Sequence, residues 1–207
     1  MATLLYVQAN PKPVEFSKSL TVAREFMSAY KEAHPEDKIA TVDVYNGNVP
    51  LLDWDCIQAK FKPPQVPLTE TEQKKLAALD TYADQFVAAD KYVFVTPLWN
   101  LGLPPMMKAY IDAIMAVGKT FRYTEKGPVG LLQNKKAVHI HSRGGIYSVP
   151  PMNELDFGDR YIQTVFRFIG VSEVHSIICE GHEYMPDKAG DILNAAITQA
   201  RELARTF

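Results

Sequence analysis

The chain has 207 residues, of which 47% are apolar and 22% charged. That is the make-up of an ordinary globular domain, and it excludes intrinsic disorder, collagen-like sequence and a bundle of membrane helices. With 22 basic against 24 acidic residues the formal charge is −2. Such a surface offers no broad cationic field to a phosphate backbone and no acidic surface for steering a basic redox partner. No run of about 18 uncharged apolar residues is present, and Met1 to Val7 lacks a basic segment followed by a longer apolar one, so secretion is not indicated. The two cysteines, Cys56 and Cys179, lie far apart without a C-x-x-C partner, which speaks against thiolate zinc ligation. The expectation is a cytoplasmic protein with neither nucleic-acid nor membrane partners.

In chain order, Thr3 to Ala9 is an apolar run that reads as a buried strand and ends at Asn10-Pro11. From Ser17 the period becomes helical, with Leu20, Ala23, Met27 and Tyr30 along one face, and it stops before Pro35. Ile39 to Tyr45 is a second strand. Residues 48–68, with Pro50, Pro63, Pro64 and Pro67, read as an irregular surface excursion. Thr69 and Glu72 have capping-box spacing ahead of a helix carrying Leu76, Leu79, Ala83 and Phe86. Tyr92 to Val95 is a third strand. Pro104 and Pro105 suit the start of a helix that buries Met107, Tyr110, Ile111, Ile114 and Met115 and ends near Gly118. Ala137 to His141 is a fourth strand, and 159–169 is a helix apolar on more than one face. Val174 to Cys179 is a fifth strand, followed from about Asp187 by a last helix.

Five strands alternating with five helices predict an α/β fold over residues 1–207, a parallel sheet in the order 2-1-3-4-5 with helices on both faces. Ligands of such sheets sit beyond the carboxyl ends of the strands, at the switch point between strands one and three. The loops to inspect are those after strands one, three and four. The first holds Asn10, Ser17, Lys18 and Ser19. The serines read either as ordinary helix caps or, with the lysine and the free N–H groups of a helix start, as donors to a phosphate. No G-x-G-x-x-G or G-x-x-x-x-G-K-[ST] pattern is present, against a Rossmann dinucleotide site and an NTPase.

The loop after strand three reads Pro97-Leu98-Trp99-Asn100-Leu101. Its large apolar groups beside an amide suit an aromatic heterocycle, or a loop folded into the core. Strand four ends in Ser142-Arg143-Gly144-Gly145, where glycines permit close backbone approach or simply make a turn. His139 and His141 share a strand face, but no third ligand is spaced to make a metal site. Asp43, Asp53 and Asp55 form no carboxylate pair of definable geometry, and Cys179 reads as core.

These residues together resemble the FMN-dependent NADH-azoreductases, a flavodoxin-like family that includes NAD(P)H:quinone reductases. The resemblance covers the whole chain and rests on Ser17-x-Ser19, Pro97 to Asn100, Thr120 to Pro128 and Ser142 to Gly145. It implies a flavodoxin-like FMN-binding domain over 1–207. Ser17, Lys18 and Ser19 would hold the phosphate, Pro97 to Leu101 would line the ring system, and Ser142 to Gly145 its pyrimidine end. The chain departs from the family pattern at Ala9-Asn10, where a serine is common, at Lys18, where glutamine is common, and at Leu98-Trp99, where methionine and tyrosine are common.

The resemblance further implies a ping-pong reaction in which NADH gives up a hydride and leaves before an azo compound or a quinone is reduced. The cofactor carries that chemistry, so no catalytic side chain is required. Phe121, Tyr123 and Trp99 are candidates to wall the substrate site or to anchor their loops, and Arg122 is either a surface residue or a contact to an anionic substrate. The apolar excess of the helix at 159–169 points to a subunit contact. This agrees with the homodimer, active sites at its interface, that the resemblance implies, with Val165, Phe166 or Phe168 approaching the partner's flavin. The alternatives are a flavodoxin-like electron carrier without its own turnover, and an interaction domain that has lost FMN.

Overall fold

The apolar runs assemble into one five-stranded parallel sheet with helices on both faces. The structure, a computed structural model, describes residues 1–207. The strands of the sheet are β1 (Thr3–Gln8), β2 (Lys38–Asp43), β3 (Lys91–Pro97), β6 (Lys136–Arg143) and β7 (Glu173–Glu180), in the order β2-β1-β3-β6-β7. That is the 2-1-3-4-5 arrangement expected. The helices are α1 (Lys18–Ala33), α2 (Trp54–Phe61), α3 (Glu70–Ala88), α4 (Pro105–Ile114), α5 (Asp159–Phe168) and α6 (Ala189–Thr206). No helix is long and apolar enough to cross a membrane.

Side chains alternate across a strand, so each strand feeds two cores. On one face Leu5, Val7, Tyr92, Phe94 and Ala137 pack under α3, α4 and α5, through Phe86, Tyr110, Ile111 and Phe166. On the other, Leu4, Val93, Val95, Val138 and Ile140 pack under α1 and α6, where Ala196, Ala200 and Ala204 let the helix approach closely. Only one residue of β3, Lys91, and one of β6, Lys136, is less than fully buried, which is why these strands read as unbroken apolar runs.

Four expectations are corrected. The 48–68 excursion contains α2, capped by Asp53, whose side chain accepts from Cys56 N–H. Lys75 of α3 meets both Asp53 and Asp55 of this segment, while Lys62 reaches Glu72 at 2.5 Å, the same glutamate that completes the Thr69 capping box. These long-range ion pairs, invisible to any local pattern, pin the excursion onto α3. A second difference is an antiparallel hairpin, β4 (Phe121–Thr124) and β5 (Gly127–Gly130), turning on Gly127 at φ 106°. Third, α4 stops at Ile114, short of Gly118, where Thr120 Oγ1 donates to the Ile114 carbonyl at 2.8 Å.

The fourth correction concerns α5. Its Ile162, Val165 and Phe166 are buried in the chain's own core, while Thr164 and Arg167 face solvent, so the helix has one apolar face rather than several. Phe166, 1% exposed, lies against Phe94, Tyr92 and Phe86 at centroid distances of 5.0, 5.6 and 6.3 Å. It cannot reach a substrate or a partner subunit. Of the three residues considered for that role, Phe168 alone is exposed, at 36%.

A buried polar chain ties α5 to the sheet. Asp159 accepts from His139 Nδ1 at 2.7 Å and from Ser176 Oγ at 2.7 Å, and Thr96 Oγ1 lies between His139 Nε2 (2.9 Å) and His141 Nδ1 (2.8 Å). Burial works to raise the Asp159 carboxyl, but hydrogen bonds from His139, Ser176 and Gln163 outweigh it and hold the group below the usual carboxylate range. Burial, with His139 and Arg143 nearby, pushes His141 well below the ordinary imidazole value. His139 is thus committed to internal partners at both ring nitrogens, and His141 at Nδ1, its buried Nε2 having no hydrogen-bond partner. Gly158, which precedes α5, is a glycine because a Cβ there would overlap the His141 ring.

Phe166→Ala is expected to cost about 3–5 kcal/mol, as measured by urea unfolding. Thr96→Val, nearly the same shape, removes the only partner of His139 Nε2 and is expected to lose about 1–3 kcal/mol in the same measurement.

Candidate functional site

The carboxyl ends of β1, β3, β6 and β7 open into a cavity of about 460 Å³, lined by Asn10, Lys12, Phe16, Ser17, Lys18, Pro97, Leu98, Trp99, Ser142, Gly144, His182, Glu183 and Ala189. It lies at the switch point, where the chain leaves β1 toward one face of the sheet and β3 toward the other. The volume falls in the range of small-molecule sites.

One end is a turn organised by Asn10. Its amide donates to Ser17 Oγ at 2.8 Å, and its carbonyl accepts from Lys12 N–H at 3.1 Å. Ser17 caps α1, accepting from Leu20 N–H at 3.2 Å. Having already accepted from Asn10 and Leu20, Ser17 has one hydroxyl hydrogen, which goes to Ser19 Oγ at 3.2 Å or turns to a ligand in the cavity. The cap reading and the donor reading of this serine are compatible. The first N–H groups of any helix lack intrahelical partners, and those of α1 lie at this end beside Lys18. Ser19 is fully buried behind Ser17, with the two hydroxyl oxygens 3.2 Å apart, and does not line the cavity.

The opposite wall is apolar. Pro97 ends β3, Leu98 N–H is held by the Ser142 carbonyl at 2.8 Å, and Trp99 packs edge-on to Tyr45 with centroids 6.3 Å apart. Trp99 and Gly102 exchange backbone hydrogen bonds at 2.9 and 3.0 Å around Asn100 and Leu101, whose φ values are 48° and 69°. Two consecutive positive φ values make this a tight hairpin turn of the primed type. Asn100 and Leu101 form the turn behind Trp99 and do not line the cavity.

At the edge between these walls stand Ser142 and Gly144. Arg143 points elsewhere. Its guanidinium pairs with Asp156 at 2.5 Å and Glu180 at 3.0 Å, so only its backbone faces the site region. Gly145 serves the scaffold, its carbonyl accepting from Gly181 N–H at 3.1 Å. The Glu183 carboxylate lies over Gly144, in the space a Cβ there would take. Phe121 and Tyr123 stand on the β4–β5 hairpin and do not line this cavity. Phe121 touches Tyr123 and Phe168 at 5.5 and 4.9 Å, while Tyr123 is 69% exposed.

Sequence reasoning missed Lys12, Phe16, His182, Glu183 and Ala189 as lining residues. His182 and Glu183 come from the connection after β7, a loop that topology also brings to this edge, and Ala189 opens α6; Glu180-Gly181 at the strand's end was the available signal.

The sequence matches a family model described as flavodoxin-like fold over residues 2–204. It is 47% identical over 211 residues to FMN-dependent NADH:quinone oxidoreductase 2 of Bacillus thuringiensis subsp. konkukian, with all of both chains covered. Full coverage holds equally for FMN-dependent NADH:quinone oxidoreductase 3 of Halalkalibacterium halodurans, at 46% identity over 213 residues. Among solved structures, an azoreductase from Bacillus anthracis str. Sterne superposes with a TM-score of 0.95 at 39% identity, covering 100% of each chain. An FMN-dependent NADH-azoreductase from Bacillus anthracis str. Ames Ancestor, solved in complex with FMN, gives 0.93 at 30% identity over 99% of this chain and 98% of that one. With the sheet order, the edge cavity and full-length relatives in agreement, the chain belongs to the flavodoxin-like family of FMN-dependent NADH:quinone oxidoreductases and azoreductases.

Proposed function

We propose that the chain is an FMN-dependent oxidoreductase, a single FMN-binding domain over 1–207, that uses NADH to reduce quinones and azo compounds. The observation that carries this reading is the two-sided character of the switch-point cavity. A hydroxyl, two lysines and a helix start gather at one end, matching a phosphate, and Pro97, Leu98 and Trp99 form an apolar wall suited to a flat ring system. The donor set fits FMN, and the names of full-length relatives support it.

In this reading Ser17 and Lys18 hold the phosphate, with Asn10 fixing the turn and Ser19 supporting Ser17 from behind. Pro97 to Trp99 exclude water from one side of the ring, with Asn100 and Leu101 setting the angle of Trp99. Ser142 and Gly144 present polar edge contacts, while Arg143 and Gly145 hold their loop in place. Bound FMN supplies the hydride-transfer chemistry, which no side chain here provides. NADH and the acceptor use the same apolar slot in turn, a ping-pong order. A quinone takes up two electrons and two protons in one cycle and leaves as the hydroquinone. An azo compound needs two cycles, consuming two NADH and two further protons, to give two amines.

Pairing of two copies completes the proposal. Tyr123 and Phe168, exposed beside buried Phe121, are the aromatic surface offered to the second subunit. Both cysteines are free and buried, which supports a reducing, cytoplasmic setting.

Purified protein is expected to carry a flavin spectrum that NADH bleaches anaerobically and that a quinone or an azo dye restores; a colourless protein that takes up no FMN rejects the reading. Initial rates against NADH at several acceptor concentrations are expected to give parallel double-reciprocal lines, and intersecting lines reject the ping-pong order. Ser17→Ala is expected to weaken FMN binding about tenfold, the loss of one hydrogen bond to a charged group, by fluorescence titration. Light scattering is expected to give twice the chain mass, and a monomer removes the paired site.

A further inference from the structure

Arg143 stands in the strand-end motif, yet its guanidinium turns away from the cavity, and what it binds leads back to the apolar wall. Nη1 donates to Asp156 Oδ2 at 2.5 Å and Nη2 pairs with Glu180 at 3.0 Å. Arg143 and Asp156 are both buried. The other oxygen of Asp156 accepts from the N–H groups of Gly158 and Asp159 at 2.9 and 3.1 Å, at the start of α5, where such donors have no intrahelical partner. One carboxylate thus ties the backbone of residues 156–159 to the end of β6.

That backbone is the back of the wall. Phe157 N–H donates to the Leu101 carbonyl at 2.9 Å, inside the turn that carries Trp99. Gly158 lies against Leu98, close enough that a Cβ on it would come within 3.1 Å of Leu98 Cδ1. Leu98 and Trp99 line the cavity, and residues 156–158 do not. Asp156 therefore acts on both wall residues from outside the site, by one hydrogen bond and one packing contact. Further holds on the wall are the Ser142 carbonyl at Leu98 N–H and Tyr45 edge-on to Trp99.

We propose that Asp156, paired with Arg143, is a positioning residue of the redox site: it sets how far Leu98 and Trp99 stand from the ring-binding slot, and so how well a flat acceptor is held there. This rests on the reading of the cavity as a site for FMN and its acceptor. A misplacement of about 1 Å is enough to lower turnover of a bound substrate. The wall meets the acceptor before and during electron transfer alike, so its displacement falls on KM more than on kcat.

The test starts from Trp54→Phe, which leaves Trp99 as the sole tryptophan. Asp156→Ala, Asp156→Asn and, as a core change away from the wall, Phe166→Leu are added to it. In the flavin-free protein Asp156→Ala is expected to raise acrylamide quenching of Trp99 fluorescence. In the holoenzyme it is expected to raise KM for a quinone on the order of tenfold, with kcat within about twofold. Asp156→Asn, whose carbonyl still accepts from Gly158 and Asp159, is expected to fall between. Phe166→Leu is expected to lower the urea midpoint and leave both readouts unchanged. Equal effects in Phe166→Leu and Asp156→Ala assign the result to general loosening and overturn the proposal. Unchanged quenching overturns it too, as does an unchanged KM. If Asp156→Ala does not fold, Asp156→Asn decides by the same two readouts against Phe166→Leu. A parent chain that shows no flavin and no quinone reduction fails at an earlier step and rejects the oxidoreductase reading itself.

Discussion

Burial of β1, β3 and β6 on both faces is the constraint on which the rest of the molecule depends. A strand with a hydrophobic core above and below has almost no room for polar side chains along its length, and those it carries must be satisfied internally. Thr96 and His139 meet that condition through Asp159 and His141, while the His141 ring is paired at Nδ1 alone, its buried Nε2 lying unpaired beside Gly158. Everything else polar and available is displaced to the carboxyl edge, where the strands stop and the loops diverge. The cavity occupies that edge because the sheet leaves it no other place.

Much of this was legible in the sequence, for an identifiable reason. Doubly buried strands are continuous apolar runs, so Tyr92 to Val95 and Ala137 to His141 could be read without knowing their neighbours. Helix starts announced by side chains were equally readable, as at Thr69 with Glu72 and at Pro104 with Pro105. The edge loops could be chosen from topology before their residues were considered, which brought Asn10, Ser17, Lys18, Pro97, Leu98, Trp99, Ser142 and Gly144 into view together.

What was not legible depends on contacts between distant segments. Helix α2 is held by Cys56 packed against Leu79 and Ala113 and by Lys75 and Lys62 reaching across from α3 and back to it, and prolines nearby obscured its short period. Phe166 and Phe168 differ by two positions on one helix, which places one against Phe94 and the other at the surface. Composition cannot separate them, because both are aromatic residues in an apolar stretch. Arg143 sits in a motif that looks like a ligand loop, yet Asp156 and Glu180, 13 and 37 residues further on, claim its side chain.

The turn behind Trp99 carries a consequence for how this cavity could change over evolution. Left-handed backbone costs an L-residue roughly 1–2 kcal/mol, and asparagine bears it more easily than leucine. Leu101 accepts that cost while its carbonyl also anchors Phe157 N–H at 2.9 Å, so the strained residue is braced from outside the turn. A mouth built on a braced, strained turn does not flex to accommodate a new molecule; it admits by shape. Broadening the range of acceptors would then come less readily from exchanging Trp99 itself than from relaxing the two residues beneath it, trading a rigid aperture for a pliable one.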